Sequence, residues 1–224
     1  MMVLAVTPTL REARALPGAC VAGAGARCGR ALARVLDEQR PSAVVLAGVA
    51  GGLDPSLAPG AVVLVREARA EGVAPVAPDP ALFAEARAAL RGAGIAFVSA
   101  PALTVAAPIA APDAKRDAWN ATGAAVIDME TQVMASLLAE RGVPWLAVRA
   151  VLDPARDTLP RELARWQDEA DNAAAVRAAL RRPASWPAFA RLAMQERRAL
   201  RSLRRTVPVV SATLAASREA FARG

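Results

Sequence analysis

The 224-residue chain has no histidine, and only one of its 28 basic residues, Lys115, is a lysine. Without histidine, Ser-His-Asp and Cys-His triads, histidine-ligated metals and imidazole general bases are excluded together. Acid–base chemistry must then rest on carboxylates, Lys115, a thiol or the backbone. Cysteine is scarce as well. Cys20 and Cys28 fall short of any zinc spacing, and two thiols read as unpaired core residues rather than a disulfide. No metal site is expected. No run of about 18 uncharged apolar residues is present, so no spanning helix is expected. The N-terminal MMVLAVTPTLREAR lacks the basic start and long apolar stretch of a signal peptide. It reads as a first β-strand, and the expected location is the cytoplasm.

What is present is apolar and strongly alanine-rich. A hydrophobic fraction of 54% supplies a sizeable core, and the length suits one α/β domain with a small appendage. The net charge of +7 is unevenly placed. Residues 1–154 balance to zero, so the whole excess sits in residues 155–224. A GC-rich genome accounts for arginine over lysine, but not for this crowding at one end.

Short Val-rich runs recur at Val3–Val6, Val44–Leu46, Val62–Val65, Ile95–Val98 and Leu146–Val151. Bounded by Gly, Pro or charge, each suits a buried strand. Helical spacing fills the intervals: Arg27–Gln39 places Ala31, Leu32, Val35 and Leu36 on one side, and Pro80–Leu90 is similar. Thr131–Arg141 is a third such segment, closed by Gly142. This alternation predicts a three-layer α/β/α sandwich with a mixed central sheet. After Asp153 the texture changes. Helical segments at Glu162–Glu169 and Ala173–Arg182 lead to Pro183 and Pro187, either of which can open a helix running to about Arg205. The expected division is therefore a catalytic domain over 1–155 and a helical, basic C-terminal tail over 156–224, packed on or next to it.

Four groups are able to carry chemistry. Gly48-Val49-Ala50-Gly51-Gly52-Leu53 follows the strand Ala43–Ala47, and its backbone N–H groups suit an anion. A purely structural tight turn is an equal reading. Gly23-Ala24-Gly25-Ala26-Arg27 opens a helix and suits phosphate through its amides and Arg27, although its glycine spacing is not a dinucleotide fingerprint. Asp128-Met129-Glu130 ends an apolar run; either Glu130 accepts hydrogen bonds from a ribose diol, or Asp128 merely caps a helix. Asp153 stands at the end of a strand, where a desolvated carboxyl can donate a proton. A helix cap before Pro154 is the competing account, and Glu12 is open to a similar one as a surface acid of an early helix.

Taken together these blocks resemble the nucleoside phosphorylase and nucleosidase superfamily. Gly48–Leu53 followed by Leu57-Ala58-Pro59-Gly60-Ala61-Val62-Val63 is similar to its G-x-A-G-G-L…G-D-V-V block. Val126–Glu130 is similar to its V-x-M-E element, and PWLAVRAVLD, Pro144–Asp153, to its P-x-x-x-V-R-x-x-S-D strand. The resemblance implies that Asp153 protonates the purine N7, Glu130 holds the ribose hydroxyls and Met129 packs on the sugar. It further implies that Glu12 orients an attacking water. Gly25, Arg27, Gly51 and Gly52 match the region that holds phosphate, with inorganic phosphate a co-substrate and no other cofactor. Ala107-Pro108-Ile109 occupies the base-binding stretch, without the aromatic residue that nucleosidases often place there. Val49, Ala61 and Leu152 likewise replace a usual Ser or Thr, Asp and Ser.

The tail narrows the resemblance. Asp128–Glu130, Asp153–Asp157 with Leu159-Pro160, and the stretch Arg181-Arg182-Pro183…Leu192 resemble hopanoid-associated phosphorylases. Those proteins imply release of adenine from adenosylhopane with phosphate as acceptor, and self-association of the chain. Residues 181–205 hold eight arginines and one acid, so a helix there is expected either to rest on anionic lipid or to remain a solvated helix packed on the domain. A nucleic-acid partner is not expected, because no known binding motif accompanies the charge. Two rival functions stand beside this one. The first is a hydrolytic nucleosidase acting on methylthioadenosine or adenosylhomocysteine. The second is a non-catalytic, lipid- or nucleic-acid-binding relative.

Overall fold

Eight strands and six α-helices follow from these runs in the computed structural model, which describes residues 2–160 and 186–223. The first half comprises β1 (Val3–Thr7), α1 (Leu10–Ala15), β2 (Cys20–Val21), α2 (Cys28–Gln39), β3 (Ala43–Gly52), β4 (Val62–Ala70), β5 (Val73–Val76) and α3 (Pro80–Gly92). The second half comprises β6 (Val98–Thr104), α4 (Pro112–Thr122), β7 (Val126–Asp128), α5 (Thr131–Glu140), β8 (Trp145–Val151) and α6 (Trp186–Arg223).

The sheet is mixed. Strands β2, β1, β3 and β8 run parallel, as do β4, β6 and β7, and the two sets meet antiparallel at β4–β8 and β3–β7. The pairings β3–β8–β4–β6–β7 return to β3, so the sheet curls until these five strands close on themselves. Helices cover it on both sides, which is why its strands read as continuous apolar runs. Val44 and Leu46 of β3 pack with Leu32 and Leu36 of α2 and with Met134 and Leu138 of α5. Their neighbours Val45 and Ala47 face Leu82 and Leu90 of α3 and Leu203 and Val207 of α6. The expected α/β/α layering with a mixed sheet is thus present.

Three boundaries differ from the sequence reading. First, the strand expected at Ile95–Val98 begins only at Val98 and continues through Pro101 to Thr104. Pro101 cannot donate to a ladder, and the register against β4 shifts at that point, between Val65 and Glu67. Second, Gly48–Gly52 is the end of β3 rather than a turn after it. Third, the C-terminal helix does not stop near Arg205 but runs through Pro208 to Arg223. Burial of Ala199, Leu203, Val207, Val210 and Leu214 along one seam carries it past the proline. Each such Val or Leu contributes at most about 1.5–3 kcal/mol. The helices expected at Glu162–Glu169 and Ala173–Arg182, together with Arg181-Arg182-Pro183, lie outside the described residues. Among the described residues no helix is long and apolar enough to cross a membrane.

Candidate active site

Because β1, β3 and β8 are parallel, their carboxyl ends share one edge of the sheet, where open α/β folds bind ligands. Glu12, the Gly48–Gly52 segment and Asp153 all emerge there. A cavity of about 430 Å³ opens at this edge, within the range of small-molecule sites. It is lined by Glu12, Gly51, Pro108, Ile109, Met129, Glu130 and Asp153. The other expected residues, Gly25, Arg27, Gly52 and Ala107, are not among its lining residues.

Glu12 is both a helix cap and a buried acid. Its Oε2 accepts from the Thr9 backbone N–H and hydroxyl at 2.9 and 2.7 Å, which closes a capping box on α1. Its Oε1 accepts from the Val49 N–H at 2.7 Å. Burial raises the carboxyl above its ordinary value, against the hydrogen bonds from Thr9 and Val49 and the charge of Arg149. A carboxylate so shifted is a better base near neutral pH.

Of the two carboxylates, Asp128 takes the cap that the sequence left open. Asp128 accepts from the Glu130 and Thr131 amides at 3.2 and 3.0 Å and from the Thr104 hydroxyl at 2.8 Å. It therefore ties off the start of α5 and is structural. Glu130 makes no such cap. It reaches across to accept from the Gly25 N–H at 2.8 Å and lines the cavity. Burial, and then the negative charge of Asp128, push it up to about 7.

Arg149 of β8 compensates this acidic cluster. Fully buried, it donates through Nε to Asp128 Oδ2 at 2.8 Å, and through Nε and Nη2 to the Thr131 hydroxyl at 2.9 and 2.6 Å. Its Nη1 has no hydrogen-bond partner among the described residues and lies over Gly48. A Cβ at Gly48 would overlap Nη1 and come within 2.9 Å of Glu12 Oε1. The glycine is therefore there to admit a guanidinium and a carboxylate, not to turn the chain. Gly48→Ala is expected to cost at least about 1–3 kcal/mol, read as a lower denaturant midpoint at unchanged slope.

Asp153 occupies the other end of the cavity, beside Gly51, where a Cβ would lie 3.4 Å from Oδ1. Val49 and Gly51 are two strand residues apart, so the Glu12 and Asp153 ends of the site are separated by about 7 Å along β3. Asp153 pairs with Lys115 of α4 at 2.5 Å, and both side chains are buried. Burial pushes the Asp153 carboxyl upward, and the Lys115 charge pulls it partly back. Around it stand Val105, Pro108, Ile109, Ile127 and Leu159, an apolar pocket without an aromatic ring among the described residues. Toward solvent the cavity is walled by Leu10, Leu152, Leu192 and Leu200. The Arg11–Glu196 pair bridges α1 and α6 at this mouth, at 2.8 Å.

Two of the amides expected to hold phosphate are occupied. Gly25 N–H is held by Glu130, and Gly52 N–H donates to the Asp153 carbonyl at 2.8 Å. The Cys28 thiol is not a reactive alternative: burial, and then the charges of Glu130 and Asp128, push it up to about 12. Arg149 and Lys115 are the residues that sequence reasoning did not assign. Arg149 stood inside a quoted block, and Lys115 was visible only as the lone lysine of an arginine-rich chain.

A model of the phosphorylase superfamily matches residues 21–182. Among solved structures, the chain is similar to 5′-methylthioadenosine/S-adenosylhomocysteine nucleosidase from Neisseria meningitidis, in complex with methylthio-immucillin-A. That match has 16% identity and a TM-score of 0.73, covering 93% of this chain and 97% of that one. S-adenosylhomocysteine nucleosidase from Streptococcus pyogenes matches at 14% identity and TM-score 0.71, over 96% of each chain. Futalosine hydrolase of Helicobacter pylori matches at 13% identity and TM-score 0.68, over 93% of this chain and 97% of that one. No curated protein sequence matches. At such identities the structural matches establish the fold alone, whereas the family model spans well over half of the residues; the chain belongs to the phosphorylase superfamily.

Proposed function

We propose that the chain cleaves the N-glycosidic bond of a purine nucleoside, releasing the base. One observation carries this reading: a single cavity holds two buried carboxyls with raised proton affinity, Asp153 and Glu12, at its two ends, with Glu130 also on its wall. Asp153 donates its proton to N7 of the leaving purine, within the pocket of Ile109, Ile127 and Val105. Glu130, when ionised, accepts a hydrogen bond from each hydroxyl of the ribose diol. Cleavage is dissociative, with positive charge developing at the anomeric carbon, and the acidic cluster stabilises it.

Water is favoured over phosphate as the acceptor. The Val49, Gly25 and Gly52 amides are already engaged, and the buried Glu12 carboxylate would repel a phosphate dianion. Glu12 instead suits a water, taking one proton as the oxygen attacks. The structural neighbours named as nucleosidases and as a hydrolase agree with this preference.

The 5′ substituent faces the leucines of α1, α6 and the Leu152 loop, which suits an aliphatic group. Adenosylhopane, the nucleoside implied by the likeness to hopanoid-associated phosphorylases, meets that description, and so does methylthioadenosine. The outer face of α6 favours the lipid-linked choice. Arg191, Arg197, Arg198, Arg201, Arg204 and Arg205 are exposed and, at 100° per residue, fall within roughly 140° of the helix circumference. Trp186 and Met194 fall in the same arc, 54% and 57% exposed, and over residues 186–205 the arc contains no acid. Such a face suits an anionic membrane, at about 1 kcal/mol per arginine near the surface.

Product analysis separates the options. Methylthioadenosine and adenosylhopane are each incubated with the chain, with and without phosphate, and the sugar product is identified. Phosphate-independent formation of the free sugar is expected. A sugar 1-phosphate, formed only when phosphate is added, would make the chain a phosphorylase and overturn the preference for water.

A further inference from the structure

Lys115 lies on α4, which the sequence reading did not identify, and its side chain is 99% buried. It donates to Asp153 Oδ2 at 2.5 Å, to the Pro154 carbonyl at 3.2 Å and to the Asp157 carbonyl at 3.0 Å. Three acceptors match the three N–H bonds of an ammonium; a neutral amine has only two. One side chain thus fastens both the carboxyl of Asp153 and the loop that carries it. The loop has a second fastening on its far side, where Asp157 accepts from Gln195 of α6 at 2.6 Å and faces Arg191 at 3.5 Å.

We propose that Lys115 is the positioning residue of the proton donor: by occupying Oδ2 it directs Oδ1 of Asp153 to the base, and it sets the charge that Asp153 carries. This rests on the reading of Asp153 as the acid that protonates the leaving purine. Three acceptors on one short loop and a single buried cation make the arrangement one unit. Without the ammonium the carboxyl is free to rotate, the Asp157 carbonyl loses its Lys115 donor, and the Pro154 carbonyl keeps only the Asp157 N–H.

The electrostatic consequence has a definite sign. Among the described residues, the charged groups facing Asp153 are Lys115 from α4, which favours its ionised form, and Asp157 from its own loop, which disfavours it; Arg191 of α6 acts on Asp157. Removing the Lys115 charge therefore raises the proton affinity of Asp153. A proton donor works below its own pKa, so activity survives to higher pH while the rate at the optimum falls.

The test is the pH profile of kcat for adenine release from methylthioadenosine, for the wild type, Lys115→Met and Lys115→Arg. For Lys115→Met the alkaline limb is expected to move up by about one pH unit or more, with a loss of about tenfold or more in kcat and little change in KM. Lys115→Arg keeps the charge and is expected to hold the limb near its wild-type position. Lys115→Gln, which keeps two N–H donors without the charge, is the second uncharged variant should Lys115→Met fail to fold, and the same upward shift is expected of it. An uncharged variant with an unmoved limb and wild-type kcat overturns the proposal. Asp153→Asn run alongside distinguishes the two failures: if it remains active, the reading of Asp153 as the acid fails, not merely the role of Lys115.

Discussion

Asp153→Asn is expected to lower kcat for base release by about 10²–10⁴-fold while leaving KM within a small factor of the wild type. The amide keeps the shape of the carboxyl and an acceptor for Lys115, but it has no proton to give to the purine. Glu130, the proposed sugar-binding group, is untouched, since it is anchored from Gly25 and not from Asp153. Some stability is lost as well, because the buried Lys115 ammonium then faces a neutral partner. The variant should still melt cooperatively, since its oxygen can take the Lys115 hydrogen bond. Steady-state kinetics on protein with a verified melting transition check this, and full activity in the variant would remove Asp153 from the mechanism.

The second large effect concerns the fold more than the chemistry. Arg149→Met is expected to destabilise the chain by about 3–5 kcal/mol at neutral pH. Arg149 is the buried cation facing Asp128, Glu12 and Glu130, and it lowers the proton affinity of both glutamates. Methionine fills the volume but leaves the carboxyls to repel one another. The sign with pH follows from the glutamates. Their folded-state pKa values are already above the unfolded value of 4.5, with Glu130 at about 7, so their contribution is most favourable at low pH and is lost as pH rises through that window. Loss of Arg149 raises both further. The variant should therefore recover part of its deficit at pH 5 relative to pH 8, by denaturant titration at each pH. A deficit independent of pH would mean that packing, not charge, is the main role of Arg149.

How far the sequence discloses this site depends on the range of the interactions. Contiguous blocks are legible. The apolar run into Asp153 marks a buried parallel strand ending in an acid, and the β8 strand is found there. The choice between Asp128 and Glu130 is not legible, because both cap and ligand roles suit a carboxylate after an apolar run. The Gly25 amide that captures Glu130 comes from 105 residues away. The glycines of β3 mislead for a related reason: their low strand propensity signals a turn, whereas Gly48 exists to admit a guanidinium from a strand brought alongside by the fold. Pro101 has the same effect on β6, which continues through it by shifting register. Lys115 is the extreme case. Its partner is 38 residues distant, and its helix is polar enough on every turn to give no clear apolar stripe.

Comparison of nucleosides that differ only in the base decides whether this cavity protonates and expels a purine. The chain is incubated with adenosine- and uridine-type nucleosides sharing one apolar 5′ substituent, and free base is quantified over time. Adenine release without uracil release is predicted, because only the purine offers N7 to Asp153. Release of neither base, or of uracil as fast as adenine, would contradict it.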